Sequence, residues 1–142
     1  MAGLTTIRVQ RSFLAKPEKI YDAWLDPAIA RKFLFATPDG EMQRVDIDAK
    51  EGGGFVIIER RGAQDVEHHG TYEKLARPQR IVFTFTASPS PDVATRVSID
   101  IMPDGNGSAV TVTHEGVPAG YAQKTEEGWT KILNGLAAAV PG

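Results

Sequence analysis

Residues 118–140 read PAGYAQKTEEGWTKILNGLAAAV. Tyr121, Thr125, Gly128, Trp129, Ile132, Leu133, Leu136 and Val140 recur at three- and four-residue steps, which predicts a helix with one apolar face. Lys124, Glu127, Lys131 and Asn134 fall largely opposite. Glu127 and Lys131 are spaced as a favourable i,i+4 pair, worth a few tenths of a kcal/mol. Gly128 and Gly135 are less expected, since each costs roughly 1 kcal/mol relative to alanine inside a helix. Either a neighbour approaches the helix closely at these points, or the helix simply tolerates them.

Such a helix needs something to cover it, and the preceding chain supplies it. From residue 43 onward QRVDID, GGFVIIER, DVEHHGTYEKL, RIVFTFTA, TRVSIDIM and SAVTVTHEG are β-like. They are separated by KEGGG, RRGAQ, ARPQ, SPSPD and PDGNG, turn chemistries mostly short enough for hairpins or a meander. SPSPD is long enough to form a mobile loop. EGGG has the glycines of a phosphate loop but not the following Lys-Ser/Thr and helix, so it reads as a turn. ERRG reads as a solvated hairpin tip.

Upstream, TTIRVQRSF (5–13) alternates as a half-buried strand. In KPEKIYDAWLDP, Pro17 suits a first helical position, and Ile20, Ala23 and Trp24 share a face. Pro27 disfavours helical geometry at Asp26, which can then cap a second short helix bearing Ile29 and Phe33. The predicted order is strand, two short helices, six strands and a long helix. That is an α+β single domain spanning 1–142, whose antiparallel sheet must curl and lay its apolar face on the last helix.

Composition narrows the function. Sixteen basic and eighteen acidic side chains leave a formal charge of −2, without the basic surplus of a nucleic-acid binder. With no cysteine, disulfides, zinc–thiolate sites and thiol catalysis are excluded. No signal peptide is read at the N-terminus and no apolar run approaches about 20 residues, so the expected location is cytoplasmic, without membrane partners.

Alternation sorts the side chains of each strand. His68 and His69 point to opposite faces and cannot jointly hold a metal. Glu67, His69, Thr71 and Glu73 form a polar face, so His69 is solvated and His68 looks inward with Tyr72. Choosing Phe55 as inward brings Glu59 in too, although both faces of that strand are apolar. Ile81, Phe83 and Phe85 face in while Thr84 and Thr86 face out; Val97, Ile99, Ile101, Val110, Val112 and His114 also face in. The concave face is therefore apolar with four polar islands, Glu59, His68, Tyr72 and His114. These are either satisfied core and rim residues or groups that orient a ligand. Glu59 and His68 would form an acid–base pair only within hydrogen-bond reach of each other. No spacing recommends a metal site of His68, His114 and Glu59.

The whole chain resembles the helix-grip proteins of the START-related (SRPBCC) superfamily. The group concerned resembles the C-terminal domain of the activator of the ninety-kilodalton heat-shock protein ATPase. The resemblance rests on an ordered set: Arg11, Phe13, Pro17, Trp24, Asp26 and Pro27, then Asp48 with Gly52 and Gly53, Gly70 with Tyr72, His114 with Gly116, and Gly128 with Trp129. It departs at RKFLFATPDG, where Phe33 and Phe35 stand without the usual tryptophan, which alters the pocket mouth.

The resemblance implies a seven-stranded curved antiparallel sheet gripping the C-terminal helix, often around a cavity, with no shared catalytic residue or cofactor. Trp24 and Trp129 are expected to pack, each costing roughly 3–5 kcal/mol on truncation to alanine if buried. Phe33 and Phe35 either pack or gate a mouth. A sheet more curved than its helix leaves space for a small hydrophobic or amphipathic ligand. Its expected wall is Phe33, Phe35, Phe55, Phe83, Phe85, Ile99, Trp129 and Ile132, with Glu59, His68, Tyr72 and His114. Two other functions stay open: a co-chaperone-like interaction module with a chaperone partner, and a cavity enzyme of cyclase, dehydratase or hydrolase type. The oligomeric state is left as monomer or homodimer.

Overall fold

A computed structural model describes residues 3–87 and 95–142; the SPSPD segment lies outside the described residues. Strand β1 (Leu4–Phe13) leads into helices α1 (Pro17–Leu25) and α2 (Pro27–Ala30). Pro17 starts α1, and the Asp26 side chain caps α2 by accepting from the Ala28 amide at 3.0 Å. Strands β2 (Glu41–Ile47), β3 (Gly54–Arg61), β4 (Gln64–Ala76), β5 (Arg80–Ala87), β6 (Thr95–Asp104) and β7 (Gly107–Pro118) follow. A single 3₁₀ turn (Ala119–Tyr121) feeds the last helix, α3 (Ala122–Ala139).

The seven strands form one antiparallel sheet in the order β1-β7-β6-β5-β4-β3-β2. Register shifts in β1, β2 and β4 break the ladders. Such bulges add twist and let a long sheet bend. Gly70 in β4 meets Gly54 and Phe55 of β3, and a Cβ there would collide with Thr84 and with the Phe55 ring. Helix α3 lies against β1 and β7, with Trp129, Ile132, Leu133 and Leu136 buried. This is the curled sheet on a terminal helix expected from the pattern, and the helix-grip architecture that the resemblance implies.

The space beneath α3 is largely filled. Trp24 meets Phe33 edge-on at 5.2 Å between ring centroids and Trp129 at 6.4 Å. The two helix glycines divide the alternatives left open by the sequence. At Gly135 a Cβ would stand 3.1 Å from the Phe33 Cβ, a close approach; at Gly128 nothing lies within 4 Å.

Four side chains depart from the sequence reading. Tyr121 lies in the 3₁₀ turn before α3 and is 61% exposed, because the helix begins after it. Thr86, assigned to the outer face, is buried. Glu127 accepts from Gln123 at 3.3 Å rather than pairing with Lys131. Arg61 leaves the solvated hairpin tip and turns back toward the concave face, where a buried carboxylate attracts it.

Candidate functional site

The site is built around Phe35, at the end of the segment that follows α2. Its backbone φ is 57°, in the left-handed region that a bulky side chain rarely adopts. The geometry is held from β3. Glu59, 1% exposed, accepts from the Thr37 amide at 2.7 Å, the Thr37 hydroxyl at 3.0 Å and Arg61 Nε at 2.6 Å. Arg61 also donates to the Phe35 carbonyl at 3.2 Å. A Cβ at Gly40 would overlap the Glu59 carboxylate, so glycine lets the loop pass close. A buried carboxylate needs such partners, since an unpaired charge in this position would be costly.

Held in this way, the Phe35 ring reaches into the concave face. It stacks on His68 at 4.4 Å with 1° between planes, and on Phe85 at 5.0 Å with 18°. Phe55 lies 6.2 Å away and Trp129 6.0 Å. Beside this cluster is a pocket of about 160 Å³ lined by Phe35, His68, Phe85, His114, Thr125, Gly128, Trp129 and Ile132. Gly128 contributes space, because its missing side chain meets no neighbour. Larger depressions of about 530 and 630 Å³ lie beside β2–β4 and near the turn from β6 to β7. They are surface grooves; His69, beside Glu67 at 3.1 Å, lines the first.

The pocket's two imidazoles are neutral. Burial pushes both down from 6.5 to about 4; at His68 the nearby Arg61 charge adds to it, opposed by the Ile57 backbone and Glu59. His114 has a defined tautomer. Trp129 Nε1 donates to its Nδ1 at 3.0 Å, so the ring proton sits on Nε2 and is donated to Thr95 Oγ1 at 2.6 Å. Thr95 passes its own hydrogen to the Phe85 carbonyl at 3.1 Å. His68 is different. It is 6% exposed and its ring is hydrogen-bonded to the Ile57 backbone, yet its Nδ1 has no hydrogen-bond partner.

Of the expected wall, Phe35, Phe85, Trp129 and Ile132 line the pocket with His68 and His114. Phe33 packs instead on Trp24 and beside Gly135. Phe55, Phe83 and Tyr72 form a ring cluster away from that lining, with contacts of 5.2 to 6.3 Å, and Ile99 is wholly buried in the sheet core. Burial raises the Tyr72 phenol above its ordinary value of 10. Glu59 is spent on Thr37 and Arg61, so its carboxylate and His68 Nδ1 do not form an acid–base pair. Among the described residues no group of three His, Asp or Glu side chains gathers in a metal-holding arrangement. Thr125 and Gly128 are wall residues that the sequence reading left out. Their signal was present, as small residues on an otherwise apolar helix face.

A curved seven-stranded sheet gripping a C-terminal helix defines the helix-grip class of the START-related (SRPBCC) superfamily. Within it, the chain belongs to the family of Activator of Hsp90 ATPase homolog 1-like proteins, whose family model matches residues 14–141. It is similar to protein CV1439 of Chromobacterium violaceum, with 27% identity, a TM-score of 0.87, and coverage of 96% of this chain and 97% of that one. It is similar also to protein Mll3558 of Rhizobium loti, with 25% identity, a TM-score of 0.82 and 99% coverage of both chains. Protein SA2116 of Staphylococcus aureus shares the fold at 13% identity, with a TM-score of 0.87 and coverage of 99% and 95%. No curated protein matches the sequence. Among the described residues no helix is long and apolar enough to cross a membrane.

Proposed function

We propose that the protein binds a small hydrophobic or amphipathic molecule in the pocket between α3 and the sheet. The observation that carries this reading is the composition of the pocket wall. Aromatic and aliphatic groups surround two neutral imidazoles, one of them with an unpartnered buried nitrogen. Ligand sites are characteristically apolar with a few placed polar groups. The family is one whose fold commonly binds ligands.

A thermal-shift screen against lipids, sterols, aromatics and polyketide-like compounds tests the proposal. A true ligand stabilises the native state by about 2.7 kcal/mol at a hundredfold excess over its Kd. Gly128→Leu places a side chain in the open part of the pocket and should abolish the shift while leaving the protein folded. No shift with any class, or shifts that survive Gly128→Leu, would remove the proposal. A chaperone partner is proposed on the family's description alone, and stimulation of a chaperone ATPase by the purified protein tests it. A cytoplasmic location accords with the cysteine-free sequence, and cell fractionation checks it.

A further inference from the structure

Phe35 combines features that simple core packing does not require. A bulky residue sits in left-handed backbone geometry, which in folded proteins persists only where surrounding structure enforces it and clusters at functional sites. The enforcing structure is present, in the Glu59–Thr37 and Arg61–Phe35 hydrogen bonds. What the enforcement achieves is a placement. The His68 and Phe85 rings, on neighbouring strands, lie 6.0 Å apart and within 17° of parallel, and together they present a flat aromatic platform. Phe35 lies parallel over both.

His68 supplies the second observation. Its Nδ1 is buried without a partner, although native interiors satisfy nearly all such atoms. The imidazole is neutral, so it offers a hydrogen bond and not a charge. A hydroxyl group can donate or accept, and therefore suits either tautomer. The open pocket beside the platform, about 160 Å³, is below the usual range for a ligand site. A ligand larger than a single ring needs the space that Phe35 now fills.

Resting on the ligand-binding reading above, we propose that Phe35 is a resident plug occupying the place of a planar aromatic ligand that carries a hydroxyl group. The ligand's ring lies on His68 and Phe85, its hydroxyl pairs with His68 Nδ1, and Phe35 withdraws as the ligand enters past Gly128. Offset stacking favours a flat aromatic group on such a platform over a saturated one of equal size.

The test uses the full chain and three probes: 2-naphthol, naphthalene and decahydro-2-naphthol. Calorimetry gives affinities and amide NMR follows residues 35–40. The wild type is expected to bind 2-naphthol at least about tenfold more tightly than its saturated analogue, with the 35–40 amides shifting on saturation. Phe35→Ala removes the competing ring and should tighten 2-naphthol by about tenfold, because only the plug-out fraction of the wild type is competent to bind. Phe35→Leu keeps an apolar side chain, and should change affinity in the same direction if the alanine variant fails to fold. His68→Phe keeps the stacked ring but should erase the preference for 2-naphthol over naphthalene.

Equal binding of the flat and saturated alcohols overturns the planar class while leaving ligand binding intact. Binding to the wild type with unmoved 35–40 amides, or unchanged affinity in the Phe35 variants, makes Phe35 a fixed wall and overturns the plug. A hydroxyl preference that survives His68→Phe overturns the role of Nδ1. Failure of every probe with both the wild type and the Phe35 variants overturns this proposal. Only if the broad ligand screen also fails does the general reading go with it.

Discussion

Lowering the pH from 7.5 to 5 should destabilise this fold by an amount set by two buried imidazoles. In the unfolded chain each binds its proton near the ordinary value of 6.5; in the folded protein burial delays this to about 4. Between those values the unfolded state holds more protons, so stability is fully present above 6.5 and drains away as the pH falls toward 4. The full displacement corresponds to roughly 3 kcal/mol for each histidine. At pH 5 about 2 kcal/mol of it has been lost per imidazole, or about 4 kcal/mol in all. Asp22, held below its ordinary 3.8 mainly by its hydrogen bonds with Arg77, titrates lower and stays out of this window. Urea unfolding at constant ionic strength measures the effect. With a slope of about 1.5 kcal/mol per molar, the midpoint should fall by roughly 2–3 M. His68→Phe keeps the ring but removes one proton site, and should halve the loss to about 2 kcal/mol. A wild-type loss under about 1 kcal/mol, or an undiminished loss in His68→Phe, would show that these imidazoles are not held neutral by the fold.

The two helix glycines should respond oppositely in thermal unfolding. Gly128→Ala should stabilise by about 0.5–1 kcal/mol through helix propensity, whereas Gly135→Leu should destabilise by about 1–3 kcal/mol or more through collision with Phe33. Trp129→Phe leaves His114 Nδ1 buried without its donor and should cost about 1–3 kcal/mol beyond the lost packing. Chemical denaturation gives that value, and His114 should then lose its single tautomer in imidazole nitrogen NMR. Glu59→Ala releases Thr37 and Arg61 together and should cost about 2–3 kcal/mol, less than a fully buried pair because Arg61 is partly solvated. Its amide exchange should accelerate most in residues 35–40, which distinguishes loop release from general loosening.

The fold was legible because its signals are local and repeated. Period-two alternation marks each strand, and one helical face of α3 shows where the sheet must close. Orientation was readable wherever one face is uniformly polar. In β4 the run of Glu67, His69, Thr71 and Glu73 forces His68 and Tyr72 inward. It was less readable in β5, where Thr86 is buried although its neighbours assign it outward. The clamp on Phe35 was illegible for a different reason. Thr37 lies 22 residues from Glu59, and nothing local says that its amide and hydroxyl converge on that carboxylate. Arg61 carried a signal that went unused, since it stands two residues from Glu59 and so shares its face in a strand. The Trp129–His114–Thr95 chain joins three elements, and only the sheet register brings Thr95 next to His114.

The location of the pocket follows from how unevenly α3 is seated. Gly128 and Gly135 are seven residues apart, about 10 Å along a helix, and therefore lie on nearly the same face. At Gly135 the helix rests on Phe33, and Phe33 rests on Trp24. Those rings are buried and tightly packed, so altering that end disturbs the core before it changes any binding property. At Gly128 an added Cβ would meet nothing within 4 Å, and the pocket there is lined by His68, Phe85 and His114. The pocket cannot extend toward Trp24 without dismantling the core. The proposed plug would extend it toward Phe35, the wall residue whose left-handed backbone is held by a hydrogen bond from another strand. The tightly packed end at Gly135 and the open end at Gly128 are thus separated along one helix. On the proposed reading, that separation would let a fold with a nearly filled interior admit a ligand without loosening the packing that stabilises it.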